Sequence, residues 1–453
     1  MKPGYILLLL AIVAALGICS ALFPEGVGAI IMLSICCAIA IPLLLRNTDE
    51  RTFVLRLFIV GLLARIFFGS IIYIFGLSEF FGGDAITYDF RGAYIADYWR
   101  GTTVIESYEL TRWTATSGAG WGMHYLVAAI YYIGGRNPLA AQALCCVAGA
   151  CIGPVVFICS YQIYKNSNVA KFAGMMTAFF PAFLLWSCQL MKDGLIIFLL
   201  VVVIIAVLRL QEKFGIASLA VLVISMFAIL SLRFYIFYMV AIAVVGSFVI
   251  GFSNNPGAIF RRTAILLVAG IGLTYLGVVR TATSDVEKFG SLESVQRSRN
   301  DLAKSGESGF GADLDVSTTE GAISIIPIGF VYLMFAPFPW QVTNLRQAIA
   351  LPETVLWWAM FPLMITGIIY TIKHRLREAF PILLFSIMLT LAYSIFQGNV
   401  GTAYRQRTQI QVFLFMFIAV GWVLRKEGKE NKQIIAKARR GQLISSSPQP
   451  NAQ

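Results

Sequence analysis

Runs of about 20 apolar residues recur along almost the whole of this chain, and at 1.5 Å per helical residue each is long enough to cross the hydrocarbon core of a bilayer. Of the 453 residues, 58% are hydrophobic and 13% are charged. No soluble core needs so much apolar surface. The runs are continuous rather than short and alternating, which excludes a β-barrel. The expected fold is an all-α polytopic membrane protein. Spans are expected at about 5–24, 27–46, 53–78, 139–163, 172–190, 194–210, 216–232, 235–252, 263–280, 353–373, 379–396 and 408–424. Two weaker runs, 119–135 and 321–339, read as membrane-surface or re-entrant helices: the first is short and bounded by glycines, and the second carries Pro327, Pro337 and Pro339.

Basic residues orient the spans. The short loops 46–51, 165–171, 209–213, 261–262 and 373–377 and the tail are the basic ones. Placing them all inside gives one consistent topology, with both termini cytoplasmic and segments 79–138 and 281–352 as outer loops of a transmembrane domain, 1–424. The tail 425–453 holds seven Lys/Arg and two Glu, which suits an anionic lipid surface rather than nucleic acid. The N-terminus resembles a signal sequence, and Leu16–Cys19 resembles a lipoprotein box. Ile18 is too bulky before the cysteine and a second apolar run follows at once, so a retained first span is expected. The eight cysteines sit in apolar runs, where they act as small hydrophobes, so neither a disulfide framework nor zinc is expected. No Walker A loop or dinucleotide fingerprint is present.

The stretch Gly82–Trp99, GGDAITYDFRGAYIADYW, follows the third span. Helical spacing puts Asp84, Thr87, Tyr88, Arg91 and Ile95 on one face and the small residues Ala85, Gly92 and Ala96 on another. An acid, a phenol and a guanidinium on one stripe is a candidate for chemistry. The bland reading is an interfacial helix with Asp84 as N-cap and aromatic anchors. The loop-charge topology also places Asp89, Lys192, Asp193, Arg233, Tyr235, Tyr404, Arg405 and Arg407 outside. Cations there run against the charge bias, and an anion-binding site explains them as a group. For any one of them alone, snorkelling to lipid headgroups suffices.

Arg65 lies mid-span, where a charge costs roughly 2.5–3.5 kcal/mol. Glu79 is about 20 Å away along the helix, so pairing with another span is expected. His124 is a candidate general base, with interfacial packing as the commoner role. Trp340, in PFPW, is an interfacial anchor or a platform for a sugar ring. In the polar stretch 281–320, with eight acids and four bases, an amphipathic helix is expected over 286–302 and a flexible segment over 305–319. A mobile cover over a site and a solvated connector both fit.

The outer loop opening GDAITYDFRG, and the run from HYLVAAIYYIGG through PAFLLWSCQLMKDG, resemble the GT-C glycosyltransferases that use polyprenyl-phosphate-linked sugars. These include the protein mannosyltransferases and the lipid A aminoarabinose transferases. The likeness covers about residues 53–250 and lies mainly in the order of elements: acid loop, surface helix, small-residue span, basic inner turn, then a Pro-containing span ending in a basic–acidic outer turn. It implies a GT-C-like fold and an enzyme of the bacterial inner membrane that moves a sugar to a cell-surface glycan or lipid acceptor. It further implies Asp84 as catalytic base, phosphate held by some of Lys192, Arg233, Arg405 and Arg407, and Tyr88, Asp89, Arg91, Asp193, Tyr404 and Trp340 near substrate. Asp89 and Asp193 are candidates to orient groups or to help hold a divalent metal; no cofactor is specified. Many relatives have adjacent acids in this loop, whereas here Ala85 follows Asp84. An O-antigen or exopolysaccharide polymerase using polyprenyl-diphosphate-linked repeats also fits the outer arginines. A lipid-linked glycan transporter fits less well, because mid-span charges other than Arg65 are nearly absent.

Overall fold

The computed structural model of the chain describes residues 25–103, 120–250, 256–275, 291–304, 308–311 and 314–445. The apolar runs become helices. α1 (Glu25–Arg46), α2 (Arg51–Ile74) and the shorter α3 (Asp84–Trp99) are followed by α4 (Trp121–Gly134) and α5 (Pro138–Tyr164). Next come α6 (Ser167–Phe179), α7 (Pro181–Ser187), α8 (Lys192–Glu212), α9 (Ile216–Leu232), α10 (Phe234–Ile250) and α11 (Pro256–Tyr275). Three short helices, α12 (Leu292–Lys304), α13 (Thr319–Ser324) and α14 (Ile326–Phe335), precede the long α15 (Leu345–His374), α16 (Leu376–Phe396) and α17 (Val400–Ser445).

Among the described residues, seven helices are long and apolar enough to cross a bilayer, or eight if α6 and α7 count as one broken span. α9, α10 and α11 coincide with three further expected spans but are shorter apolar helices in their described parts. The expected span 5–24 lies outside the described residues. The span expected at 172–190 is interrupted: α6 and α7 meet at a 55° bend. Pro181 has no N–H to continue the ladder, and Phe180 before it is extended.

The bend gives Arg65 its partners. The guanidinium is fully buried and donates to the Ser187 hydroxyl (2.7 Å) and to the carbonyls of Gly61 (2.9 Å) and Ala178 (3.3 Å). The Ala178 carbonyl is available because the helix breaks just beyond it. Gly149 on α5 makes room: a Cβ there would meet Ser187 and lie 2.7 Å from Arg65 Nε. Arg65 therefore pairs across spans, as its mid-span position predicted, but with dipoles rather than with an acid.

α5, α8 and α17 form the buried interior, and α1 lies at the edge with Leu44 as its buried residue. α15 runs along α17 with backbones in near contact: a Cβ on Gly367 would strike the Phe417 carbonyl, and one on Gly421 the Leu363 carbonyl. α3 and α4 pair through Gly92, whose missing side chain admits Val127. Ala85 and Ala96 are buried on the same helix, so the small-residue face is its packing face.

The stretch expected to be flexible is, where described, docked. Arg299 of α12 is fully buried and donates to the carbonyls of Ile395 (3.1 Å) and Gln397. Phe310 N–H bonds the Gly398 carbonyl (2.8 Å) and Val400 N–H the Ser308 carbonyl (2.9 Å). The segment is thus tied to the α16–α17 turn as a short antiparallel bridge at Gly309 and Asn399. The helix expected over 286–302 is described from Leu292 onward.

Gly421→Ala should force α15 and α17 apart. Overpacking of a close contact costs about 1–3 kcal/mol, so a lowered midpoint of thermal unfolding in detergent is expected, without a change in helix content at 25 °C.

Candidate active site

Four chain segments, far apart in sequence, bring charges to one end of the bundle. Gly82 and Gly83 turn the chain with φ of +132° and +67°, values L side chains rarely adopt. Gly83 is the N-cap, and Asp84 is the first helical residue rather than the cap. α8 opens with Lys192 and Asp193 after an extended Met191, so an acid sits in the first turn where the helix dipole favours it. Arg233 occupies the extended joint between α9 and α10. α17 supplies Tyr404 and Arg405 from its first two turns.

Arg405 links these pieces. Its Nη1 lies 2.6 Å from Asp84 Oδ2; its Nε and Nη2 lie 2.7 and 2.5 Å from Asp193 Oδ2. Arg233 Nη2 is 3.4 Å from Asp193 Oδ1. Asp193 is fully buried, whereas 43% of the Asp84 side chain is exposed. Trp186 lies under the Arg405 guanidinium at 5.5 Å, and Lys192 Nζ lies 6.0 Å from the Tyr88 ring centre. With Lys192, three cations face two carboxylates, leaving one formal positive charge over.

A cavity of about 1240 Å³ opens in front of this cluster. Asp84, Tyr88, Lys192, Arg233, Tyr404 and Arg405 line it, and Phe68, Ile71, Phe80 and Leu345 give it an apolar flank. Leu302 and Ser308, from the docked segments 291–304 and 308–311, also line it. Asp193 stands behind Arg405, out of the lining, and orients it.

Besides Asp193, four expected site residues are not brought to the cavity lining. Arg407 is fully buried and donates to the carbonyls of Met334 and Ala336, 3.0 Å each, where α14 ends. Asp89 faces away: it accepts from the Tyr131 hydroxyl (2.6 Å) and from Arg136 Nη2 (2.6 Å), tying α3 to α4 and the loop after it. That hydrogen bond raises the Arg136 pKa above its ordinary value. Arg91 lies on α3, where its charge bears on His124. Trp340 is 74% exposed and stacks on Phe338, ring centres 5.2 Å apart. Among the described residues no three His, Cys, Asp or Glu side chains gather as metal ligands. Asp89 and Asp193, considered for a divalent metal, stand on separate partners.

His124 is buried, its ring 5.4 Å from that of Tyr88. Burial first, then the charges of Arg91 and Lys192, lower its pKa to about 4. Burial and the Asp84 charge push the Tyr88 phenol upward. Two charged lining residues escaped the sequence reading. Glu353 stood at the start of an apolar run, where an acid reads as a loop edge. Arg346, whose guanidinium lies 5.2 Å from the Phe80 ring centre, sat in a polar loop with no pattern to mark it.

Two solved structures are similar to this chain. One is ArnT from Cupriavidus metallidurans bound to undecaprenyl phosphate, with a TM-score of 0.45, 16% identity, and 82% of this chain covered. The other is ArnT from the same organism in the apo state, with a TM-score of 0.41, 15% identity, and 84% covered. The chain spans 65% and 66% of those two chains. No protein-family model and no curated protein matches it.

Asp193→Asn should destabilise the protein by about 3–5 kcal/mol, because it leaves two arginines buried without their shared counter-charge. Adding Arg405→Gln should recover part of that loss, and a thermal-unfolding cycle of the four proteins measures the coupling. Because folding holds His124 below its ordinary pKa of 6.5, the unfolded chain binds the extra proton first. Stability should therefore fall as pH drops from about 6.5 through 4 and be level above that range. His124→Gln should remove this component from the pH profile of unfolding.

Proposed function

We propose that this protein is a membrane glycosyltransferase that takes a sugar from a polyprenyl-phosphate-linked donor and transfers it to a hydroxyl of a cell-surface glycan or lipid. The observation that carries the reading is the cavity itself: its lining combines apolar side chains such as Phe68, Ile71 and Leu345 with Asp84 beside the cations Lys192, Arg233 and Arg405. A lipid-linked phosphosugar has this division, with an isoprenoid chain at one end and an anion next to the reacting carbon. The proposed site is the bacterial inner membrane, with the cavity on the outer side and both termini in the cytoplasm.

In this reading Asp84 is the general base. Arg405 engages Oδ2, leaving Oδ1 to accept the proton of the acceptor hydroxyl. The acceptor oxygen bonds to the anomeric carbon as the bond from that carbon to the phosphate oxygen breaks, so the configuration inverts. The donor phosphodiester carries one negative charge, and the departing polyprenyl phosphate develops a second. A cluster with one positive charge over and fixed arginine donors favours the charge that grows during the reaction more than the charge present before it. Buried Asp193 holds Arg405 and Arg233 in place, so little reorganisation is needed.

Glycan transfer by purified Asp84→Asn, in membranes supplying the native lipid-linked sugar, tests this. A loss of about 10²–10⁴-fold is expected, with the unfolding temperature nearly unchanged, since Asp84 is the exposed partner of its pair. Retained transfer by Asp84→Asn together with lost transfer by Arg405→Ala would instead favour a polymerase that uses the arginines to bind a diphosphate.

A further inference from the structure

A second cavity, of about 260 Å³, lies at the other end of the bundle. α8 sets the separation: it leaves the charged cluster at Lys192 and meets this cavity at Arg209, about 25 Å further along its axis. α1 and α9 form the lips, where Leu43 is 59% and Val221 43% exposed, and α5 and α8 form the floor, where Val155 and Ala206 are buried. The crevice therefore opens sideways, toward the hydrocarbon around a membrane-spanning chain. Its polar groups gather where α8 ends and α9 begins. Arg209, half-buried in the last turn of α8, makes no hydrogen bond through its guanidinium among the described residues. Glu212 bears on it electrostatically, but that carboxylate pairs with Lys165 at 3.9 Å. The N-cap of α9 is Gly215, which has no side chain to close the helix, so the first-turn amides stay open. Ala217 and Ser218 of that turn line the crevice.

What fills this crevice must be apolar along its length and anionic at one end. A guanidinium and an uncapped helix start both favour a phosphate. A small free anion would leave the apolar floor without contacts. Residues 1–24 of the chain are apolar enough, but they contain no Asp or Glu and so cannot answer Arg209. A glycerophospholipid joins both requirements in one molecule. We infer that the crevice binds one anionic glycerophospholipid, its phosphate at Arg209 and the start of α9 and one acyl chain lying between α1 and α9. Arg46 and Lys213, exposed at the ends of α1 and α8, disfavour a headgroup that carries an ammonium, so phosphatidylglycerol is selected over phosphatidylethanolamine. The site stands apart from the cavity at Asp84 and does not depend on the transfer chemistry proposed there.

Native mass spectrometry of the full chain, purified in detergent and stripped of lipid, tests this. The probes are dioleoyl-phosphatidylglycerol, dioleoyl-phosphatidylethanolamine and glycerol phosphate. Wild type is expected to hold its first phosphatidylglycerol about tenfold more tightly than phosphatidylethanolamine, and not to retain glycerol phosphate. Arg209→Gln should lower the phosphatidylglycerol affinity about tenfold, to that of phosphatidylethanolamine. Val221→Trp, which blocks the mouth from an exposed position and leaves the charges alone, should weaken both lipids about fivefold. Its unfolding temperature without lipid should match wild type, so it tests the site even if Arg209→Gln does not fold. The inference is overturned if wild type shows no first lipid held above the rest, which would mean that another part of the chain fills the crevice. It is overturned equally if Arg209→Gln keeps the preference. Val221→Trp binding like wild type would reduce Arg209 to a headgroup anchor on the surface, and glycerol phosphate binding as tightly as the lipid would make this a free-anion site; either result also overturns it.

Discussion

The contact on which the site depends is the grip of Arg405 on two carboxylates at the end of an apolar helix bundle. Asp193 is fully out of water and Arg405 nearly so, and neither would be tolerable there alone. Each makes the other affordable in electrostatic terms, and the geometry follows from that need: Arg405 must reach α8, so the start of α17 is pinned against it. Asp84, at the exposed edge of the same guanidinium, is held 321 residues away in sequence from its partner. A site assembled this way carries its own rigidity, since moving Asp193 or Arg405 strands a buried charge.

Around that clamp the bundle solves a second problem, that of backbone groups with no water to satisfy them. Three irregular joints are each met by a buried arginine. Arg65 serves the break between α6 and α7, Arg299 the turn between α16 and α17, and Arg407 the end of α14. A guanidinium suits this work because its planar fork offers five donors and cannot be deprotonated in a protein. The same residue type therefore plays two roles here, closing helix ends in some places and presenting charge to a cavity in another. Only the position of a carboxylate separates them: Arg405 has two, while Arg65 finds carbonyls and a hydroxyl.

The docked residues 291–304 and 308–311 show why a polar segment need not be loose. Its composition resembles a solvated connector, yet Arg299 and a two-bond bridge fix it on the residues that start α17. Leu302 and Ser308 thereby become part of the cavity wall. Local composition reports what water would accept, and it is silent about a distant row of carbonyls left open by a helix end.

The helical membrane architecture, most helix positions and a helix within Gly82–Trp99 were legible in the sequence, because the length of an apolar run and the need to satisfy its backbone leave few alternatives. So was the gathering of Asp84, Lys192, Arg233 and Arg405 at one end, since loop charge alone assigns each span a direction. Which of the outer polar residues meet was decided only by tertiary structure. Asp89 and Arg407 carry the same charges and belong to the same segments as Asp84 and Arg405, but a rotation around each helix turns them to Arg136 and to backbone carbonyls instead. Glu353 shows the converse, an unremarkable acid at the edge of an apolar run that packing seals into the cavity wall. Helical periodicity fixes which residues share a face, but the crossing of helices distant in the chain determines what that face meets.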